Sequence, residues 1–279
     1  MSTSPFLESI RHVLRTKHYS IQTEKAYLTW IKRFILYHNK RHPEEMGEQE
    51  VSQFLSYLAV QRKVTASTQN LALCSIVFMY KHIFTRELTL LDDTVRAKAP
   101  KRVPVVLSNN EAITIIDLLK PPYQLMFSIL YGCGLRKAEL LRLRVKDIDF
   151  ESNSIFVFRG KGGKDRMTML PISLIDLLKA QVSLVAAIHK KDLAEGEGKT
   201  SLPAGLARKY PYAITELKWQ YVFPSRNRCQ HPVDGYFCRH HLHWTALTKV
   251  LREAVRASGI MKHVTAHTFR HTFATQLLL

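Results

Sequence analysis

Residues 131–171 read YGCGLRKAELLRLRVKDIDFESNSIFVFRGKGGKDRMTMLP, a glycine turn, a helix start and a hairpin in one run. Gly132 and Gly134 make the turn and deliver Arg136 to the start of a helix with an apolar face of Leu140, Leu141 and Leu143. Two short β-prone runs follow, Ser154–Phe158 and Arg166–Leu170, split by Gly160, Gly162 and Gly163, which is the pattern of a hairpin. At its tip Lys161 sits between two glycines, where nothing bulky blocks a partner. One guanidinium and one ammonium on a single rigid unit could both face a phosphate, the first as a fork and the second as a point charge. The plainer alternative is Arg136 paired with Glu139 or Asp147 beside a solvated basic hairpin.

A chain of 279 residues can bury a sizeable core and suits two domains. With 46% hydrophobic and 23% charged residues it is globular in composition. Lys and Arg number 41 against 23 acids, a net charge of +18, and that surplus points to a polyanion, nucleic acid first. The charge is spread over folded-looking segments and not held in a tail. No uninterrupted apolar run is long enough for a bilayer, so no membrane partner is expected, and the N-terminus lacks the apolar core of a secretory signal. Four scattered cysteines, Cys74, Cys133, Cys229 and Cys238, suit a reducing cytoplasm.

Ser20 caps a helix whose stripe is Tyr27, Trp30, Ile31, Phe34 and Ile35. A second stripe follows at Val51, Phe54, Leu55, Leu58 and Ala59, a third helix is expected over residues 67–85, and a short one precedes Ser20. Together these make a small helical bundle over residues 1–91. Its outer cations (Lys17, Lys25, Arg33, Arg62, Lys63, Lys81, Arg86) are either a DNA face or solvated charge. Residues 92–106, with Pro100 and Pro104 among four basic side chains, read as a linker able to lie along a backbone groove. The second domain then spans 107–279: Ser108-x-x-Glu111 is a capping box, Pro121-Pro122 opens the helix leading into the Arg136 turn, and 172–189 is helical. Between about 190 and 244 the texture becomes irregular, with short basic helices near 204–212 and 214–219 and a polar hairpin rich in Cys and His. Helix resumes after Thr245, and His267 and Arg270, three apart, share a helical face while Phe269, Phe273 and Leu277 face the core.

Three segments in this order, GCGLRKAELLRL, GKGGKDR and HTFRHTFAT, resemble the tyrosine site-specific recombinases over essentially the whole chain. The resemblance implies a mainly α fold with a small β-hairpin or sheet: an N-terminal SAM-like helical core-binding domain followed by an α+β catalytic domain. It implies a tyrosine hydroxyl attacking a DNA phosphate to leave a 3′-phosphotyrosine and a free 5′-hydroxyl, with no cofactor and no metal, the bond energy being kept in the phosphotyrosine. Arg136 and Arg270 match the phosphate-clamping arginines, Lys161 the general acid (Lys164 being its fallback) and His267 a hydrogen-bond donor or proton shuttle. Glu139 matches a carboxylate that orients arginine.

The segment LARKYPYAITELKWQYVFPS with the later RHHL is similar to the insertion of integron integrases. That implies two partners, a double-stranded integration site and a folded single-stranded cassette site, with self-association on DNA in the full-length form. Trp219 matches a stacking platform for an extrahelical base, and Tyr210, Pro232, His240 and His241 match further contacts to it. Alternatively Trp219 and Tyr221 anchor a loop. Zinc held by Cys229-x-His231 and Cys238-x-His240 is a rival reading, without the usual CxxC spacing. The family pattern places a second histidine and the nucleophilic tyrosine after the His-x-x-Arg helix, whereas the last tyrosine here is Tyr236. The expectation is therefore a truncated chain that does not cleave DNA. A non-cutting relic or competitor at recombination sites is the alternative, and a general RNA-binding protein the third reading.

Overall fold

The computed structural model describes residues 4–88, 103–158, 164–202, 204–231 and 234–278. Lys161 at the hairpin tip, Pro232, and residues 92–102 of the expected linker lie outside them. The backbone forms two compact units, Met1–Arg102 and Val103–Leu279.

The first unit is a bundle of α1 (Pro5–Thr16), α2 (Ile21–Tyr37), α3 (Glu48–Val60) and α4 (Ala66–Ile83). Each start has a chemical cause: Ser20 Oγ accepts from the Thr23 amide at 3.1 Å, and the Glu50 carboxylate accepts from the Gly47 amide at 2.8 Å. The aromatic stripe of α2 is core, with Trp30 and Phe34 packed on Phe54, Ile76 and Met79. Glu24 is buried yet satisfied, accepting from Arg11 Nε at 3.1 Å and Arg15 Nε at 2.9 Å, which ties α1 to α2. Arg86, placed by its sequence among the outer cations, instead donates to the Met46 carbonyl and to Glu48, both at 3.0 Å. Lys17, Lys25, Arg33, Arg62 and Lys63 are exposed.

In the second unit α5 (Asn109–Asp117) begins at the Ser108–Glu111 capping box. The apolar helix α6 (Tyr123–Cys133) runs through the core, with Met126, Phe127, Ile129 and Leu130 fully buried. The short α7 (Lys137–Arg142) leads to an antiparallel meander of β1 (Ile148–Asp149), β2 (Ser154–Val157) and β3 (Arg166–Met169). The β2–β3 pair is the expected hairpin; β1 has two residues and no readable period. In β2, Ile155 and Val157 point into the core while Phe156 is exposed. A short turn over Ile172–Leu174 precedes α8 (Ile175–Ala194), which buries Leu178 and Val185. Residues Ile172–Ala194 form one stretch long and apolar enough for a membrane by length and composition, but it carries Asp176 and Lys179. After α9 (Ala204–Lys209) and the two-stranded β4 (Cys229–Gln230) and β5 (Phe237–Cys238), the chain enters α10 (Trp244–Ala257) and α11 (Ala266–Gln276). Helix α11 lies on α6, with the rings of Phe127 and Phe269 5.1 Å apart. The Thr272 hydroxyl accepts from the Leu107 amide at 3.0 Å. Leu277, expected in the core, is 63% exposed because α11 stops at Gln276 and the helical face does not continue.

Candidate nucleic-acid site

The site is assembled by a turn that only glycine fits. Gly134 ends α6 in the left-handed region at φ +59°, and a Cβ there would lie 2.2 Å from Cδ1 of Phe273 on α11. The missing side chain lets α11 settle on the turn, where the Arg270 guanidinium donates to the Gly134 carbonyl. Two residues on, Arg136 occupies the N-cap of α7. Its amide donates to Glu139 Oε2 at 2.8 Å and its Nη1 to Oε1 at 2.7 Å.

Glu139 is the meeting point. Arg166, first residue of β3, forks onto it with Nη1 to Oε1 at 2.9 Å and Nη2 to Oε2 at 2.8 Å. Arg270 Nη1 stands 3.9 Å from Oε2. Partial burial alone would raise the Glu139 carboxyl, but hydrogen bonds from Arg166 and from the Arg136 amide and guanidinium outweigh it and hold the group down at about 2. Arg270 is shifted downward, first by desolvation and then by the Arg136 charge, with Glu139 opposing. Three guanidiniums around one carboxylate leave two positive charges in excess, with side chains about 30% exposed (31%, 31% and 29%). His267, one turn before Arg270, is at the surface; desolvation, then the charges of His271, Lys137, Arg270 and Arg136, lower its pKa. Arg136, far from the other two in sequence, thus shares one neighbourhood with His267 and Arg270. Guanidiniums already held in place by Glu139 and the Gly134 carbonyl suit an oxyanion, because little reorganisation is needed when it arrives. Lys164 is exposed ahead of β3, and Lys161 is outside the described residues.

The irregular segment is stitched to the chain just past α7. Val145 N donates to the Gln220 carbonyl at 3.1 Å and Val222 N to the Leu143 carbonyl at 2.9 Å. Between these bonds Arg144 donates to the Trp219 and Ser201 carbonyls and to the Tyr221 hydroxyl, the last two at 2.7 and 3.1 Å, and lies 4.3 Å over the Tyr221 ring. Trp219 is half-buried at the end of the Leu217–Trp219 turn, with Lys146 Nζ 4.6 Å from its ring. Tyr210, just after α9, is 47% exposed. His240 and His241 are half-buried against Tyr221, with ring separations of 5.3 and 5.2 Å. Desolvation lowers both, His241 to about 4, so each presents a neutral ring. Pro232 lies outside the described residues.

Cys229 and Cys238 oppose each other across β4 and β5, while His231 pairs with Asp234 at 3.0 Å and His240 turns to Tyr221. Among the described residues no three His, Cys, Asp or Glu side chains are grouped to hold a metal ion. Sequence reasoning assigned nothing to Arg144, Arg166, or the buried Asp192 that accepts from Arg239 Nε and Nη2. For Arg166 the one available signal was its place at the end of a basic hairpin motif.

In the second unit, arginines from the cap of α7, from β3 and from α11 thus gather around one carboxylate. Residues 6–90 match the phage integrase N-terminal SAM-like domain and residues 106–279 match the phage integrase family. The chain belongs to the phage integrase family of tyrosine recombinases. An integrase/recombinase of Escherichia coli and one of Pseudomonas aeruginosa are each 42% identical over 272 residues, covering 98% of this chain and 81% of the relative. Among solved structures, a lambda integrase dimer bound to a COC′ core site superposes with TM-score 0.62 at 17% identity, covering 98% of this chain and 86% of that one. The XerH recombinase bound to its difH substrate gives 0.58 at 18%, covering 99% and 75%.

Proposed function

We propose that the chain serves site-specific DNA recombination as an integron-type integrase, integrating and excising gene cassettes. The observation that carries the reading is the gathering of Arg136 and Arg270 around Glu139, with His267 one turn before Arg270 on the same helix. In this reading the two arginines hold the non-bridging oxygens of the scissile phosphate and stabilise the charge that builds on the phosphorane. His267 donates to an oxygen or relays a proton, and Lys161 protonates the leaving 5′-oxygen. The partners are a double-stranded integration site and a folded single-stranded cassette site. Trp219, Tyr210, Pro232, His240 and His241 receive the protruding bases of the latter, and copies associate on DNA. Neutral imidazoles and indole stack on bases at ~1–3 kcal/mol each with little sequence preference, which is what a shape-read hairpin requires.

Tyr236, the last tyrosine of the sequence, stacks on His231 at 4.8 Å with its hydroxyl 3.4 Å from the Thr200 carbonyl. That placement favours a second reading for these 279 residues: they bind and clamp DNA without cutting it. Incubation with nicked recombination-site DNA followed by denaturing electrophoresis separates the two, and no covalent adduct is expected from these residues. An adduct abolished by Tyr236→Phe would overturn the non-cutting reading. For base reading, Trp219→Ala is expected to weaken binding to a bulged hairpin roughly tenfold more than to plain duplex. Equal loss on both would remove the base-stacking role.

A further inference from the structure

We infer that Arg166 is a positioning residue: it saturates Glu139 so that Arg270 is not drawn onto that carboxylate and keeps donors for the DNA phosphate, and it pins the start of β3 to the Arg136 turn. The inference rests on the reading that Arg136 and Arg270 hold a phosphate.

An ionised carboxylate offers about four lone-pair sites. On Glu139 the Arg136 amide and guanidinium take two of them, and the two arms of Arg166 take the others at 2.9 and 2.8 Å. Nothing remains for Arg270, which stands 3.9 Å away, beyond hydrogen-bond reach, and turns instead to the Gly134 carbonyl. Without Arg166 two oxygen sites would open on a carboxylate whose side chain is only 10% exposed. Arg270 is the nearest cation able to fill them. Each donor it turned toward Glu139 would be lost to an incoming phosphate.

The same bonds fix the hairpin. Arg166 pairs with Val157 at the end of the register of β2 and β3. A fork on Glu139 therefore joins the first residue of β3 to α7, while the Thr168 hydroxyl donates to the Cys133 carbonyl at 2.8 Å two residues along the same strand. Lysine cannot replace the fork, because one ammonium cannot occupy both carboxylate oxygens in a fixed plane.

The test uses the 279-residue chain with inorganic phosphate as probe, followed on the ¹⁵N-labelled arginine Nε–H resonances of Arg136 and Arg270. Wild type is expected to show saturable shifts at both. Arg166→Gln should weaken phosphate binding roughly tenfold, the scale of losing donors at a charged site, and Arg166→Lys, which keeps the charge and the fold, should recover only part of it. The decisive variant is Arg166→Gln/Glu139→Gln, which removes the competing carboxylate and should bind phosphate more tightly than Arg166→Gln alone. A purely structural role predicts further loss in the double variant, and that result would overturn the inference, as would equal affinities of wild type and Arg166→Gln. Absence of shifts at Arg136 and Arg270 in the wild type would overturn the phosphate-clamp reading and the inference together.

Discussion

Replacing Gly134 by alanine probes the contact on which the site is built. Two costs add. An L-residue held at φ +59° is disfavoured by ~1–2 kcal/mol. The new Cβ also falls 2.2 Å from Cδ1 and 2.5 Å from Cε1 of Phe273, so the ring must leave its position. Overpacking of this kind costs about 1–3 kcal/mol, and the sum is roughly 2–5 kcal/mol. For a unit of this size that lowers the melting temperature by roughly 4–20 °C. Because the Gly134 carbonyl receives Arg270, displacement of α11 should weaken DNA binding as well. The assay is thermal and urea unfolding of four proteins: wild type, Gly134→Ala, Phe273→Ala and the double variant. Phe273→Ala removes the steric cost but not the backbone cost, so the cycle should show a favourable coupling of about 1–3 kcal/mol. A Gly134→Ala protein that melts within about 2 °C of wild type, or a coupling near zero, would refute the close approach of α11 to this turn.

His267 should take up a proton when DNA binds. Its pKa is held below the usual 6.5 by desolvation and neighbouring cations, and the negative charge of an arriving phosphate offsets those cations and favours the imidazolium. DNA affinity should therefore rise as pH falls from 8 toward 6, and the His267 ring resonance should titrate higher in the complex than in the free protein. For folding the sign is opposite: the unfolded chain binds this proton more readily, so the His267 contribution to stability is intact above about pH 6.5 and declines below it. Melting curves of wild type and His267→Gln between pH 5 and 8 test that, and parallel curves would contradict it. Arg144→Lys loses the fork joining the Ser201 carbonyl and the Tyr221 hydroxyl, and should expose residues 195–243 to limited proteolysis severalfold faster while the first unit stays intact. Unchanged cleavage rates would show that the two backbone bonds beside it suffice.

Much of the helical scaffold was legible because local chemistry and burial agree there. Ser20, and Ser108 with Glu111, cap the helices their positions suggest, and Trp30 and Phe34 lie in the core their spacing implies. Arg136 and Arg270 became legible as a pair only through resemblance, since no local period connects residues so far apart. β1, with two residues, gave no period and was not read, whereas the short helices expected near 204–212 and 214–219 form as α9 and as 3₁₀ turns over Pro211–Thr215 and Leu217–Trp219. The expected core position of Leu277 came from extending a helical face one residue past the point where α11 ends.

The arginines show most clearly where pattern reading stops. Lys164 and Arg166 look alike along the chain, as do Arg142 and Arg144, because each is one cation in a basic run. What separates them is how many fixed acceptors each one meets after folding. Helix α7 ends at Arg142, so Arg144 leaves the solvent-facing helical rhythm and turns onto two carbonyls and a hydroxyl. Arg166 closes the hairpin opposite Val157 and finds both oxygens of Glu139. Arg239 does the same with Asp192. A planar fork of five donors is the side chain that can answer several acceptors at once, and lysine is not. At these three positions arginine therefore acts as an internal tie, whereas the exposed lysines and arginines of the first unit keep their charge in solvent, where it can meet a polyanion.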